Sequence, residues 1–315
     1  MMHNWHMNLA QLRTFVIVAD AGGVTRAVAR LKLSQPAISR QILALEDDLG
    51  LALFFRVGRQ VRLTADGEDL LRLSRRLLSE AESLRERAHT LKQGQTGLLR
   101  VGATPQVIET LLANFLPLHR RRHPGVDIHL VEDGGARLPD RLARGDMRLA
   151  IIPAGDDRFA ARALFPMQLI AILPAAHPKA RRRVLDIVEL ADEPLLLLGR
   201  GFASRAWFDA ACKVAQIAPQ MLLESAAPQT LIALARTGYG VAVIPSNVRI
   251  SRDTVRVTPL VHRGASLGKW AVAAWDVQRF LPPYGERFVQ ELETYCLRAS
   301  PGRNLTRGSP ALPRS

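Results

Sequence analysis

Residues 33–42 have the sequence LSQPAISRQI, which carries the signals of a well-defined helix start. Ser34 can cap the helix, because a serine side chain accepts a hydrogen bond from a free backbone N–H of the first turn. Pro36 fits that turn, where its missing N–H costs nothing. Apolar residues follow at helical spacing until Gly50 ends the helix. They are Ala37, Ile38, Ile42, Leu45 and Leu49.

Two shorter helices are predicted before this one. Asn8 can cap a helix that runs to about Ala21 and ends at Gly22. Thr25 can cap the second, which reaches Leu31. Three short helices with a tight turn between the second and third indicate a helix-turn-helix.

A hairpin and a long helix are predicted next. Residues 53–56 and 61–63 are β-like, and residues 57–60 join them as a wing. Thr64 then caps a helix that continues to about residue 93. Its apolar positions alternate three and four residues apart, a heptad pattern that indicates a partner helix. They are Leu70, Leu77, Ala81, Leu84, Ala88 and Leu91, with Ser74 in the remaining position.

The start of the third helix can face base edges in the DNA major groove. Side chains there include amide, guanidinium, hydroxyl and small apolar groups, which suit adenine, guanine and the thymine methyl. The candidates are Ser34, Gln35, Pro36, Ala37, Ser39 and Arg40. Thr25 and Arg26 can hold a phosphate, and the wing residues Arg56, Arg59 and Arg62 can reach the minor groove or its phosphates. The alternative is that these are ordinary surface residues of a small helical domain.

Strands and helices alternate from Leu98 onward, which predicts an α/β region of mostly parallel sheets with helices on both faces. Two blocks are expected: residues 98–162 with 269–298, and residues 163–268. The tail, residues 299–315, is basic and rich in Pro, Gly and Ser, so it is expected to be disordered.

Three strand-to-helix corners of this region are candidate effector contacts, because ligands settle beyond the carboxyl ends of strands. The candidates are Thr104, Pro105, Gln106, Phe202, Ala203, Ser204, Arg205, Gln229 and Thr230. Backbone N–H groups, hydroxyls and the charges of Arg200 and Arg205 would favour a small organic effector, including an anionic one. Plain helix capping is the alternative at each corner.

Other features set limits on function. The chain has 43 Lys plus Arg against 29 Asp plus Glu, a formal charge of +14, which favours a polyanionic partner.

Cys212 and Cys296 lie outside any metal or redox motif, so a reducing cytosol is expected. No signal peptide or apolar membrane span is evident. We interpret the eight histidines as scattered, without a pair at metal-ligand spacing, so neither a metal nor another cofactor is expected. Residues 264–268 fit the hydrolase pattern G-x-S-x-G, but the following segment is strand-like, which indicates a strand-to-strand turn and no catalytic site.

Residues 8–67 closely resemble the DNA-binding domain of the LysR-type transcriptional regulators. The matching stretches are residues 12–15, 33–42, 45–46, 49–50, 53–56 and 59–64. Residues 145–151 and 238–245 match more loosely, and Gly23, Val24 and Arg148 depart from the family's usual residues.

The resemblance implies a winged helix-turn-helix (residues 8–66), a dimerising linker helix (67–93) and an effector domain of two sub-domains (98–298), built like a periplasmic binding protein. It also implies a cytoplasmic regulator that binds double-stranded promoter DNA, responds to a small molecule and contacts RNA polymerase. Such regulators pair through the linker helix and assemble into tetramers. The alternative is a solute-binding protein or a hydrolase-like enzyme with an incidental helical N-terminus.

Overall fold

The structure is a computed structural model that describes residues 7–57, 60–93, 96–251 and 255–305. The chain divides into two compact units, residues 1–88 and 89–315. The helices are α1 (Leu9–Ala21), α2 (Val24–Leu31), α3 (Gln35–Leu49), α4 (Ala65–Gln93), α5 (Pro105–Val107), α6 (Ala113–Arg122), α7 (Leu138–Arg144), α8 (Ala203–Ala215), α9 (Pro228–Arg236) and α10 (Pro283–Ala299). The strands are β1 (Phe54–Val57), β2 (Gln60–Leu63), β3 (Gly97–Ala103), β4 (Val126–Glu132), β5 (Leu149–Pro153), β6 (Ala160–Pro174), β7 (Leu185–Asp186), β8 (Leu195–Leu198), β9 (Met221–Ser225), β10 (Val241–Pro245), β11 (Val255–His262), β12 (Ala265–Ser266) and β13 (Gly268–Trp275).

Helices α1–α3 form the predicted helix-turn-helix. Their apolar faces meet in a core in which Phe15, Ile38, Leu45 and Leu53 are fully buried. The Ser34 side chain accepts from the N–H of Ala37, as the capping prediction requires. The predicted cap at Thr25 is wrong: α2 begins at Val24 with Gly23 as its N-cap, so Thr25 already lies in the first turn. Gly23 has a φ of +145°, which a residue with a side chain rarely adopts. The turn into α2 therefore falls at this glycine, and the helix begins at the next residue.

The hairpin and the long helix complete the first unit. Strands β1 and β2 pair antiparallel, with Phe54 opposite Leu63. Helix α4 is continuous from Ala65 to Gln93, and the Thr64 side chain accepts from the N–H of Gly67. Leu71 is buried in the same core as α1–α3. The start of the linker helix is therefore part of the packed DNA-binding unit, although the sequence suggested a boundary at residue 66.

The second unit is a mixed sheet with helices packed on it, in strand order β4-β3-β5-β13-β6-β10-β8-β9. The β3–β4, β3–β5, β8–β9 and β8–β10 pairs are parallel. The pairs that involve β6 or β13 are antiparallel. The expectation of mostly parallel sheets is therefore wrong for the centre, because these two strands run back and forth between the sub-domains.

The two sub-domains meet along β6. Its first part pairs with β13, up to Gln168, and its last part pairs with β10 and β11. The fully buried Gln168 lies at this crossover, where its N–H donates to the Ser246 hydroxyl. Ser266, the serine of the hydrolase-like pattern, lies in β12 just before β13, which confirms the predicted strand-to-strand turn.

The start of the tail differs from the expected disorder. Residues 301–305 form turns after α10, Pro301 is buried, and Leu305 packs on the core of the second sub-domain. Residues 306–315 lie outside the described residues. Among the helices that the structure describes, none is long and apolar enough to cross a membrane.

Candidate functional site

The N-terminal part of α3, from Ser34 to Arg40, presents exposed polar side chains. The side chains of Ser34, Gln35, Pro36 and Arg40 are exposed. Ala37 and Ser39 are half-buried, so they contribute less surface. The apolar face of the same helix packs inward through Ile38, Ile42 and Leu45. The polar residues predicted to contact DNA from α3 are therefore accessible to a partner, whereas its apolar face is not.

Two polar contacts that the sequence analysis missed fix the position of α3. The buried Thr14 hydroxyl hydrogen-bonds to the side-chain oxygen of Gln41, which joins α1 to α3. The Glu46 carboxylate accepts from the N–H groups of Leu53 (2.7 Å) and Phe54 (3.1 Å), which joins α3 to the wing. These contacts could not be predicted from the residue types, because each one joins two different helices or a helix and a strand.

The wing places its arginines on opposite sides of the hairpin. Arg56 pairs with Val61 and Arg62 pairs with Phe55, and neighbouring positions along a strand point to opposite faces. Both arginines are exposed. Arg59 lies outside the described residues.

The predicted phosphate contacts at the start of α2 are also exposed, but one of them is engaged locally. The Arg26 guanidinium donates to the Gly22 carbonyl at 2.6 Å, which closes the turn between α1 and α2. Thr25 is exposed in the first turn of α2.

A cavity of about 50 Å³ lies between the two sub-domains of the second unit. Five of the predicted effector contacts line it: Thr104, Gln106, Phe202, Ala203 and Ser204. Its walls are mainly apolar, with Val107, Ile151, Met167 and Trp207 among them. Among the described residues that line the cavity, none has a charged side chain. On a scale where one water takes roughly 10–15 Å³, the cavity holds a few waters, so a larger effector requires the sub-domains to part.

Asn247 is the polar wall residue that the sequence analysis missed. Its side chain is buried, and its Oδ1 atom has no hydrogen-bond partner. A buried acceptor without a partner is costly, so a ligand that donates a hydrogen bond here would be favoured. Asn247 follows β10, and this position beyond a strand end was the available signal.

Four of the predicted effector contacts do not line the cavity. They are Pro105, Arg205, Gln229 and Thr230. The buried Arg205 donates to Asp209, to Glu224 and to the Leu198 carbonyl, so its charge is already neutralised inside its own sub-domain.

The residues at the start of α9 also lie outside the cavity. Gln229 donates to the Arg249 carbonyl at 3.0 Å, and Thr230 is exposed. Arg200, the further charge suggested beside these corners, is exposed and does not line the cavity.

The expectation that no two histidines have metal-ligand spacing is wrong. His119 and His123 lie four residues apart, on α6 and at its end, and Glu291 of α10 faces both. Their candidate ligand atoms all lie within 4.8 Å of one another. The expectation of no metal site therefore rested on a mistaken view of the histidine spacing.

The two cysteines are free and buried in different cores. Burial raises the pKa of the Cys212 thiol to about 11 and that of Cys296 to about 12. Both therefore remain protonated thiols at neutral pH, which is the unreactive form.

Comparison with known proteins places both units in one family. Residues 9–68 match the bacterial regulatory helix-turn-helix proteins of the lysR family, and residues 92–297 match the LysR substrate binding domain. The uncharacterized HTH-type transcriptional regulator YnfL of Escherichia coli is 31% identical over 289 residues, covering 90% of this chain and 97% of YnfL. A probable hydrogen peroxide-inducible genes activator of Streptomyces viridosporus is 34% identical over 252 residues, 79% of this chain and 80% of the relative.

A solved structure agrees with these relatives. A full-length OxyR variant from Pseudomonas aeruginosa has a TM-score of 0.70 and 28% identity, over 97% of this chain and 99% of OxyR. The relatives are regulators rather than enzymes, and the helix-turn-helix and the two-part α/β unit are those of the matched families. Because the two family matches together span most of its length, this chain belongs to the LysR family of DNA-binding transcriptional regulators.

Proposed function

We propose that the N-terminal part of α3, from Ser34 to Arg40, reads the base sequence of a promoter and that the wing holds the adjacent backbone. The observation that carries the proposal is the contrast between two faces of α3: Ser34, Gln35, Pro36 and Arg40 are exposed, while Ile38, Ile42 and Leu45 are buried in the core. Gln35 and Arg40 supply the amide and guanidinium that distinguish bases in the major groove. Arg56 and Arg62 supply charge for phosphates. The chain would act in the cytoplasm, where bacterial chromosomal DNA lies.

Two copies would pair through α4. Leu73, Leu77 and Leu84 are exposed in the single chain, with Leu84 72% exposed, and their spacing of four and seven residues puts them on one side of the helix. Large exposed apolar side chains in such a row favour a second helix as their partner. Further pairing of effector domains would give a tetramer with two DNA-binding pairs, which RNA polymerase contacts at the promoter.

The effector would be a small and mostly apolar molecule that carries a hydrogen-bond donor. Val107, Met167 and Trp207 provide apolar walls, and the unpaired Oδ1 of Asn247 provides an acceptor. The earlier expectation of an anionic effector has no support from cavity side chains, because Arg205 is engaged elsewhere. The positive end of the α8 helix dipole, beside Ala203 and Ser204 in the cavity wall, would still favour an anion.

A gel-shift assay with the upstream intergenic DNA tests the DNA surface. Gln35→Ala and Arg40→Ala should each weaken specific binding by about 1–3 kcal/mol, roughly 5- to 150-fold. Arg13→Ala is the matched control, because Arg13 is an exposed arginine of α1 outside the proposed surface. Full specific binding by both α3 variants would show that another surface reads the DNA.

A thermal-shift screen of small molecules on the full chain tests the cavity, since a ligand stabilises the folded form that it binds. Thr104→Val and Ser204→Ala should remove the response to any stabilising compound and leave DNA affinity unchanged. Thr230→Ala is the control, because Thr230 lies outside the cavity. A response that survives both cavity variants would exclude this cavity as the effector site.

A further inference from the structure

Three side chains in the effector-binding unit form a cluster that does not line the cavity: His119, His123 and Glu291. Nδ1 of His119 lies 2.8 Å from one carboxylate oxygen of Glu291. Nε2 of His123 lies 2.9 Å from the other. We propose that this α6–α10 cluster is a binding site for Zn²⁺ or a divalent transition metal ion of similar preference.

The donor set suits this ion. Two imidazole nitrogens and one carboxylate oxygen are zinc ligands, and zinc bound by three protein groups keeps a fourth position for water. Residues four apart on a helix lie on one face, which lets His119 and His123 approach the same ion. Bonds of roughly 2.0–2.2 Å to zinc place ligand atoms about 3.3 Å apart. On binding, each imidazole nitrogen would move slightly away from its Glu291 oxygen, from 2.8 and 2.9 Å. Any pair of ligand atoms that is now farther apart, up to 4.8 Å, would move closer together.

The surroundings hold His119 in a ligand's orientation. Its ring is buried, stacks on Phe115 at 5.5 Å between centroids and meets the edge of Phe288 at 5.0 Å. Its Nε2 atom is buried without a hydrogen-bond partner. The Nδ1 atom is therefore the one polar edge with a partner, and it points at Glu291. Packing that fixes a ring in this way prepares it to bind an ion with little rearrangement.

A neighbouring groove gives an ion access to the cluster. The groove has a volume of about 370 Å³, and its lining includes Phe115, Arg122, Glu291 and Tyr295. The side chains of His123 and Glu291 are each 23% exposed, so water can complete the coordination. Arg122 opposes a cation, but its nitrogen lies 3.8 Å from the carboxylate and its side chain is 66% exposed. It can turn into solvent when an ion takes its place.

A bound ion would tie α6 to α10. These helices already cover the same core, where Phe115 and Phe288 meet edge to face at 5.2 Å between centroids. The expected consequence is a metal-dependent stabilisation of the effector-binding unit. Because imidazole binds zinc only when the coordinating nitrogen is free of its proton, the affinity should fall in acid.

The test uses the full chain freed of metal by a chelator, then titrated with ZnCl₂ and, separately, CoCl₂. Wild-type protein should bind one equivalent, unfold at a higher temperature with Zn²⁺ and develop the visible absorption of Co²⁺ bound by nitrogen and oxygen. His123→Gln and Glu291→Gln should each weaken binding at least about tenfold, because even the loss of a group that only orients a metal ligand typically costs about 10- to 100-fold. These residues are half-buried, so their variants are expected to fold, which circular dichroism checks.

His129→Gln is the matched control, since His129 is an exposed histidine of β4 in the same sub-domain. The His129→Gln variant should bind Zn²⁺ with the same affinity as the wild type. The proposal is overturned if the metal-free chain shows no saturable binding. It is also overturned if His123→Gln and Glu291→Gln bind as well as the wild type. A third contrary result is loss of binding in the double variant His3→Gln/His6→Gln, which would assign the ion to the two histidines nearest the start of the sequence.

Discussion

The Oε1 atom of Glu46, near the end of α3, accepts a 2.7 Å hydrogen bond from the backbone N–H of Leu53, immediately before the wing. The same atom accepts from Phe54 at 3.1 Å. Leu53 is fully buried, so its N–H has little access to water as an alternative partner. One carboxylate thus sets the position of the wing relative to the helix proposed to read DNA.

Replacing Glu46 with Ala should destabilise the DNA-binding unit by about 2 kcal/mol, because two backbone donors lose a charged acceptor. DNA affinity should fall in addition, since the wing loses its link to α3. Urea unfolding followed by far-UV circular dichroism measures the first effect and a gel-shift assay the second. Asp47→Ala, an exposed neighbour on the same helix, should change neither. An Asp47 variant as unstable as the Glu46 variant would mean that the helix itself, and not the link, was damaged.

Arg205 is expected to serve stability rather than effector binding. It bridges the end of β8, through the Leu198 carbonyl at 2.9 Å, to Glu224 of β9 at 2.9 Å. Arg205→Ala leaves that carbonyl without its donor and should cost about 1–3 kcal/mol. Tryptophan fluorescence during unfolding follows this unit, which contains Trp207, Trp270 and Trp275.

The exposed Arg200 provides the comparison for this prediction. Arg200→Ala should unfold like the wild type. If Arg205→Ala kept full stability but lost the response to an effector, the original assignment of Arg205 as a ligand contact would be restored.

The difference between these two arginines shows what the sequence could predict. The helix-turn-helix was predictable because its signals are local: Ser34 caps α3, Gly50 ends it, and apolar residues recur between them. The role of Arg205 depends on Glu224, 19 positions away on another strand, and no local pattern reports that contact.

The cavity was predictable only in part, for the same reason. Thr104 and Ser204 lie at strand-to-helix corners, a position that topology makes visible. Asn247 and Met167 reach the cavity because β6 crosses between the sub-domains, which depends on antiparallel pairings that the sequence did not show. The α6–α10 cluster combines a visible histidine spacing with a glutamate from the far end of the chain.

Both thiols should resist modification in the folded protein. Burial raises the pKa of Cys212 to about 11, so at pH 7 only roughly one molecule in ten thousand carries the reactive thiolate there. Iodoacetamide at neutral pH should leave both cysteines unmodified, and reaction should begin when urea unfolds the chain. Mass spectrometry counts the modified sites. Rapid labelling of folded protein, or a Cys212–Cys296 disulfide after peroxide treatment, would instead indicate a thiol switch.

Gly268 lies where β13 leaves the crossover, and a side chain there would collide with the opposite strand. A Cβ atom would lie 2.0 Å from the Met167 carbonyl oxygen and 2.9 Å from Cα of Gln168. Both are backbone atoms of β6, so relief requires the two crossing strands to move apart. Gly268→Ala should therefore cost at least about 1–3 kcal/mol, the usual range for overpacking, and should shift the sub-domains relative to each other.

Unfolding in urea measures the loss of stability, and the thermal response to an effector shows whether the cavity has changed. Gly201→Ala is the matched control, because a Cβ atom there meets no other atom within 4 Å and the substitution should stay within about 0.5 kcal/mol of the wild type. Both β6 and β13 pass between the sub-domains here, so the fit of the two strands at this crossing should affect the angle between the sub-domains. Equal stability and equal effector response in Gly268→Ala and Gly201→Ala would therefore show that β6 and β13 can separate freely, and that this crossing does not fix the shape of the cavity.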